Sequence, residues 1–172
     1  MPHPPEIERY RSELASVFRG RRIVLIGGPV AGLTQLAREL CSLGAHRPFI
    51  IGSSLGTGEL PTEEDAEWVS LELSAGGVLE SIRHYEQQLG HLSEVVRSRL
   101  DEYDPDRSAV ALGGIVLGDL PTVGGRARYG ARPRSWAALE DKVQIDAFWD
   151  AIGVPRAASE IVPPEETALR EA

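Results

Sequence analysis

The sequence is short of cysteine and has no long apolar run. Cys41 is the only cysteine among 172 residues, which excludes an internal disulfide and is typical of a reducing compartment. No apolar segment approaches the roughly 20 residues that a membrane-spanning helix needs. The N-terminus also lacks the basic start and apolar stretch of a signal peptide. These absences predict a cytoplasmic protein that does not cross a membrane, with Cys41 buried in an apolar segment.

Positive charge is scarce, and nearly all of it is arginine. The chain has 18 basic and 26 acidic residues, for a net charge of -8, and Lys142 is the only lysine. Because phosphate contacts need a basic surface, this balance argues against a nucleic-acid partner. The length suits one α/β domain with room for an appendage.

Short apolar runs alternate with segments of helical periodicity. Strands are predicted at 22–26, 48–51, 68–73, 109–112 and 158–162, and helices at 6–18, 33–43, 78–100 and 135–152. This order favours parallel strands with right-handed crossovers. The predicted fold class is α/β, a Rossmann-like open and mainly parallel sheet flanked by helices, followed by a C-terminal helix–strand segment.

Glycines follow three of the predicted strands, at Gly27-Gly28, Gly52-Ser53 and Gly113-Gly114. An open α/β sheet binds its ligands beyond the carboxyl ends of its strands. This edge of the sheet is therefore the predicted ligand site.

The loop from Gly27 to Gly32 matches neither common phosphate-binding motif. Leu33 stands where a P-loop needs its lysine, and Pro29 replaces the second glycine of a dinucleotide fingerprint. Two interpretations of Gly27 and Gly28 remain. They allow a sharp turn and close helix packing, or they present N–H groups at a helix N-terminus to an anionic substrate or phosphate.

Four arginines occur between Gly124 and Arg134, in what is predicted to be a long irregular loop after the fourth strand. Guanidinium groups bind carboxylate or phosphate in a bidentate fork. Arg126, Arg128 and Arg132 are therefore candidates for holding an anionic substrate, the alternative being a solvated basic loop. No metal site is predicted, since His84 and His91 lie seven residues apart rather than three or four.

The segment after residue 135 has a distinctive order. Asp141-Lys142 lies within a predicted helix that ends at Gly153-Val154-Pro155, and a strand is predicted over 159–162. This order resembles the ATP-grasp superfamily, and the preceding domain is similar to that family's pre-ATP-grasp domain. The resemblance implies an N-terminal helix over 1–20, a Rossmann-like domain over 21–134, and the linker helix and first strand of a truncated ATP-grasp domain over 135–172.

The resemblance implies the N-terminal portion of an ATP-dependent carboxylate–amine or peptide ligase that forms a C–N bond through an acyl phosphate. Lys142 would contact nucleotide phosphates, unless it is a solvated lysine paired with Asp146. The complete enzyme would use ATP and Mg²⁺ with small carboxylate and amine substrates. The later subdomains that clamp ATP would begin where this chain ends, so it is expected to be inactive alone. Pairing with a second copy stays open, as does a stand-alone Rossmann-like nucleotide-binding or non-catalytic interaction domain.

Overall fold

The computed structural model describes residues 4–73, 77–113, 120–130, 134–136 and 144–160. The chain divides into an N-terminal unit, Met1–Arg132, and a C-terminal unit, Pro133–Ala172. The described helices of the N-terminal unit are α1 (Pro4–Phe18), α2 (Val30–Ser42), α3 (Val78–Gly90) and α4 (Glu94–Tyr103). Its described strands are β1 (Ile23–Ile26), β2 (Phe49–Gly52), β3 (Glu67–Ser70), β4 (Val110–Gly113), β5 (Thr122–Val123) and β6 (Arg126–Gly130).

The described strands form one mixed sheet in the order β3-β2-β1-β4-β6-β5. Every pairing from β3 across to β6 is parallel, and only the β5–β6 pairing is antiparallel. Leu25 in the central strand lies opposite Ile50 on one side and Leu112 on the other. The predicted α/β class with a mainly parallel sheet is confirmed.

The sheet is covered by helices on both faces. Alternate residues of a strand point to opposite faces, and both sets are buried in β1 and β2. One face packs into a cluster with residues of α3 and α4, and the other packs against α2. This explains why these strands read as uninterrupted apolar runs, which is the pattern of a parallel strand covered on both faces.

Two tyrosines hold the ends of β1. At its start, Tyr103 Oη accepts a hydrogen bond from the Ile23 N–H (3.0 Å) and donates one to the Ile23 carbonyl (3.2 Å). At its end, Tyr85 Oη accepts from the Gly27 N–H (2.9 Å) and donates to the carbonyl of Ile51. Burial raises the pKa of Tyr103 to about 12 and raises that of Tyr85 as well. Each phenol therefore stays neutral and serves as donor and acceptor at once.

A buried arginine fixes the β5–β6 hairpin to α4. Arg126 and Asp104 are both fully buried, with Nε donating to the Asp104 carboxylate at 2.8 Å. The two terminal nitrogens donate to the carboxylate of Asp101 and to the carbonyls of Gly124, Leu100 and Asp104. A guanidinium has five N–H donors, so all of them are used within the chain.

The acids around Arg126 are held in their charged form. Burial raises the pKa of Asp104, but hydrogen bonds from Arg126 and from the Ala109 N–H outweigh it, and the net pKa is lowered. The hydrogen bond from Arg126 likewise lowers the pKa of Asp101. The network is therefore a cluster of charged groups centred on Arg126 rather than a set of neutral hydrogen bonds.

Two predicted elements of the N-terminal unit are wrong. The single helix over 78–100 is two helices, because the chain breaks after Gly90 and Ser93 caps the second helix by accepting from the Val96 N–H. The predicted irregular loop contains the β5–β6 hairpin, with Gly124 and Gly125 both at positive φ in its turn. A Gly-Gly pair between two short strands is a known hairpin signal.

The C-terminal unit shows part of the predicted helix. Its described elements are a short 3₁₀ helix, Arg134–Trp136, and α5, Ile145–Ala151. Gly153 follows at a φ of 70°, and the Val154 N–H donates back to the Trp149 carbonyl at 3.0 Å, which is a Schellman ending. The glycine therefore ends the helix as predicted.

Other expectations for this unit are not met. The apolar periodicity of the predicted helix over 135–152 places Trp136, Phe148 and Ile152 inward, but they are 53%, 42% and 53% exposed. Residues 158–160 of the predicted last strand are not in a strand, and 161–162 lie outside the described residues. No helix in the described ranges is long and apolar enough to cross a membrane.

Replacing Arg126 by methionine should destabilise the N-terminal unit strongly. The change removes the buried cation that donates to Asp104 at 2.8 Å and leaves this carboxylate with the more distant Arg22 at 3.8 Å. Breaking a buried ion pair in this way costs about 3–5 kcal/mol. Urea unfolding followed by far-UV circular dichroism measures the difference. Arg107→Met is the control, because Arg107 contacts Asp101 from an exposed position (3.4 Å, side chain 59% exposed) and such a pair contributes under about 1 kcal/mol. Equal effects of the two substitutions would contradict the structural role of Arg126.

Candidate functional site

The carboxyl ends of β1, β2, β4 and β6 meet at one edge of the sheet, here called the rim. The register places Ile26 of β1 beside Ile51 and Gly113, and Gly113 beside Gly130. The predicted site at Gly27-Gly28, Gly52-Ser53 and Gly113 is thus brought together at this edge. Gly114 lies outside the described residues.

Most rim glycines serve the packing of the chain itself. A Cβ at Gly52 would lie 2.5 Å from the Val30 side chain, and one at Gly113 would lie 2.5 Å from the Ile26 side chain. Gly27 has a φ of 113°, which side-chain-bearing residues rarely adopt. These glycines support the interpretation of a sharp turn and close packing.

Gly28 differs from its neighbours at the rim. Its φ is not positive, and a Cβ added there would meet no atom of the described residues within 4 Å. Neither backbone conformation nor packing therefore requires glycine at this position. No described residue fills the space beside Gly28.

The N-terminus of α2 is closed by the chain. The first N–H groups of the helix donate to backbone carbonyls of the segment that follows β2: Val30 to Ser54 at 2.9 Å, and Ala31 to Leu55 at 3.0 Å. The N–H groups that a phosphate would need are therefore already used. The expectation that Gly27 and Gly28 open an anion site at this helix is not supported by the geometry.

An arginine of α2 anchors the far end of this segment, at residues 59–65. Arg38 donates to both carboxylate oxygens of Glu59 and to both of Asp65. The hydrogen bonds from Arg38 lower the pKa values of Glu59 and Asp65, and those same bonds raise the pKa of Arg38. The Thr34 hydroxyl adds a hydrogen bond to the Glu59 carbonyl at 2.8 Å. Residues 53–65 therefore form a fixed cover over the start of α2.

Two serines bring polar side chains to the rim. Ser53 and Ser54 are half-buried, and the Ser53 N–H donates to the Gly28 carbonyl at 3.0 Å. Their hydroxyls make no hydrogen bond within the part of the chain that the structure describes. They place uncharged donors and acceptors on the segment that is hydrogen-bonded to Gly28.

The three candidate arginines differ in what the structure says of them. Arg126 begins β6 at the opposite, amino-terminal edge and is fully buried with all its donors used, so the prediction that it holds a substrate is wrong. Arg128 lies within β6 beside Ala111 and is half-buried. Arg132 lies outside the described residues.

Lys142 and its neighbour Asp141 also lie outside the described residues, so their role stays a prediction. Asp146, the alternative partner of Lys142, forms an ion pair with Arg156 at 3.4 Å. Arg156 also donates to both carboxylate oxygens of Asp150. Asp146 therefore belongs to a local network within the C-terminal unit.

No metal centre occurs within the described ranges: no three His, Cys, Asp or Glu side chains there group closely enough to hold an ion. His91 is exposed, and His84 lies 4.0 Å from Glu80 on the same helix. Cys41 is half-buried rather than buried, and its thiol, whose pKa burial raises, lies 3.7 Å from the Asp65 carbonyl.

Comparisons with protein-family models, with curated proteins and with solved structures find no match for this chain. The functional argument therefore depends on the geometry of the rim and on the sequence order described above.

Loss of the Arg38 anchor should loosen the cover over α2. In Arg38→Met, we expect the amides of Val30 and Ala31 to exchange about tenfold faster with solvent, because local opening no longer has to break charge-assisted hydrogen bonds. Hydrogen exchange followed by NMR measures each amide separately.

Arg22→Met is the matched control for this experiment. Arg22 is also 34% exposed and also lies near two acids, but these are Asp104 and Asp106, at the other edge of the sheet. Unchanged exchange in Arg38→Met, or the same acceleration in both variants, would show that the anchor does not hold the cover.

Proposed function

We propose that this chain is the N-terminal, substrate-presenting portion of an ATP-dependent carboxylate–amine ligase of the ATP-grasp superfamily. The N-terminal unit would be its Rossmann-like pre-ATP-grasp domain. In support, the parallel strands run in the order β3-β2-β1-β4-β6, so the direction of strand addition reverses beside β1, as in doubly wound folds. The helix ending at Gly153-Val154-Pro155 agrees with the order on which the resemblance depends.

The closed N-terminus of α2 is the observation that favours this function over a stand-alone nucleotide-binding domain. A nucleotide held at β1 of such a sheet normally has its phosphates at the first turn of the following helix. Here Ser54 and Leu55 occupy that position. In the proposed ligase the nucleotide binds elsewhere, in the ATP-grasp subdomains, and this unit presents the other substrate.

The rim is suited to a small, polar substrate. It offers the space beside Gly28 and the hydroxyls of Ser53 and Ser54, with no charged side chain among these three residues. A carboxylate or an amine can hydrogen-bond to such hydroxyls without displacing the chain's own contacts. Holding one reactant in place lowers the entropic cost of the later bond-forming step.

A titration of the 172-residue chain tests this division of roles. We expect Mg·ATP to cause no saturable change in the ¹H–¹⁵N signals of Gly27, Val30, Ala31 and Gly32, because their N–H groups are already bonded within the chain. A panel of small carboxylates and amines should include a ligand that shifts the signals of Gly28, Ser53 and Ser54. Saturable binding of ATP at residues 27–32 would contradict the proposal and favour a stand-alone nucleotide-binding domain.

A pair of valine substitutions controls the titration. Gly28→Val fills the open space at the rim and should abolish the response to the ligand. Gly32→Val is the matched control, since a Cβ at Gly32 also meets no described residue within 4 Å, but Gly32 lies exposed on the first turn of α2. Both variants should keep the wild-type circular dichroism spectrum.

Lys142 should matter for ATP in the complete ligase. Removing a hydrogen bond to a charged group costs about 1.5–3 kcal/mol, so Lys142→Met should raise the KM for ATP about ten- to hundredfold. Amine-dependent ADP release measures this change. Arg156→Met is the control, because it alters another cation of the same unit whose partners are Asp146 and Asp150. An unchanged KM for ATP in Lys142→Met would remove Lys142 from the nucleotide site.

A non-catalytic interaction domain is the second candidate function. The observation that favours it is an apolar stripe on α1, formed by Ile7, Tyr10, Leu14 and Val17, each about half exposed. Such a stripe on the surface marks a contact with another protein surface.

A further inference from the structure

The apolar stripe of α1 has the spacing of a helix-pairing surface. Ile7, Tyr10, Leu14 and Val17 follow one another at intervals of three, four and three residues, which are the a and d positions of a heptad. Their exposed fractions lie between 48% and 52%. These four side chains, which occupy the positions through which paired helices contact each other, are therefore left about half exposed.

The N-terminal unit holds α1 mainly by its C-terminal half. Phe18 packs against the core cluster on the α2 side of the sheet, and Arg11 donates to the Ser42 hydroxyl at 3.2 Å. Every residue from Glu6 to Leu14 is exposed. The first two turns thus project from the body with their apolar side uncovered.

The uncovered surface continues from the helix onto the sheet. A groove of about 310 Å³ beside the end of α1 is lined by Val17, Phe18, Val110, Leu112 and Tyr129 among others. Tyr129 is 62% exposed. The stripe and the groove form one apolar surface on the face of the sheet that α2 covers only in part.

We propose that this surface binds a second copy of the chain, with the two α1 helices packed in parallel along the stripe. The a and d spacing points to a helix as the partner. The flanking charges indicate that this partner helix is α1 of a second copy, because Glu6 occupies a g position and Arg11 the following e position. In a parallel pair each g residue lies beside the next e residue of the other helix, so Glu6 lies beside Arg11 of the partner subunit.

The same charges disfavour an antiparallel pair. That arrangement brings e positions together and g positions together, which places Arg11 beside its counterpart and Glu13 beside its own. The helix also carries little net charge: three acids and two arginines over Pro4–Phe18 give -1, against -8 for the whole chain. Two such helices therefore approach with little of the repulsion that the rest of the surface would cause.

The expected dimer is weak. A helix of 15 residues is about 22 Å long, and its seam alone covers less than the roughly 800 Å² per partner of a standard interface. The groove at Tyr129 adds to this area. We therefore expect a dissociation constant of about 1–100 µM. This inference does not depend on the proposed ligase function.

Sedimentation velocity tests the proposal on the full chain over about 1–300 µM. We expect a monomer–dimer equilibrium that Leu14→Glu shifts to monomer by at least about tenfold in dissociation constant. Ser12→Glu is the matched control, since Ser12 is exposed on the opposite side of the same helix. Because Leu14 is half exposed, the circular dichroism spectrum should not change.

Cross-linking tests the parallel arrangement directly. In a Cys41→Ser background, Leu14→Cys should form a disulfide-linked dimer under mild oxidation, because a positions face one another in a parallel pair. Ser12→Cys should not. A chain that stays monomeric over the whole concentration range, a dimer that Leu14→Glu leaves unchanged, or equal cross-linking through both cysteines would each overturn the proposal.

Discussion

The buried ion pair of Arg126 and Asp104 is the interaction on which half of the sheet depends. Taking two charges out of water costs several kcal/mol for each ion, and this cost is recovered only when nearly every hydrogen-bonding position is satisfied. The network meets that condition, since all five donors of Arg126 are used. It fixes the start of β6 against the end of α4, and β6 in turn supplies the outer neighbour of β4. The rim, at the carboxyl edge of the sheet, thus depends on a contact at the amino-terminal edge.

The rim is formed by the carboxyl ends of these strands together with the cover after β2, residues 53–65. In a parallel sheet the amide dipoles of the helix starts make the carboxyl edge attractive to anions. Here the carbonyls of Ser54 and Leu55 take up the first N–H groups of α2, and Arg38 holds the segment in place through Glu59 and Asp65. What the described residues leave open is an uncharged surface beside Gly28. This is why the proposed role of the site is recognition of a polar molecule rather than the clamping of phosphate.

The sequence predicts the central strands and α2 well, because residues buried on both faces leave an apolar run that needs no partner to be recognised. It fails where a contact between distant residues decides the outcome. Arg126 looks like a solvated or ligand-binding cation until Asp104 is known to lie beside it, 22 residues earlier in the chain. The cover over α2 depends on the same kind of distant contact. The sequence does not predict the helix break after Gly90, because apolar residues continue at helical spacing across it. Ser93, which caps the next helix, is nevertheless a residue type typical of N-caps.

The two tyrosines at the ends of β1 make the stability of the central strand dependent on pH. Each hydroxyl accepts from one backbone group and donates to another, and only a neutral phenol can do both. Because the folded state raises both pKa values above the usual value of about 10, stability from these groups is complete in neutral solution and declines as the pH rises past that value. The loss of stability in alkali thus falls on the middle of the sheet, at a strand that carries no titratable side chain itself.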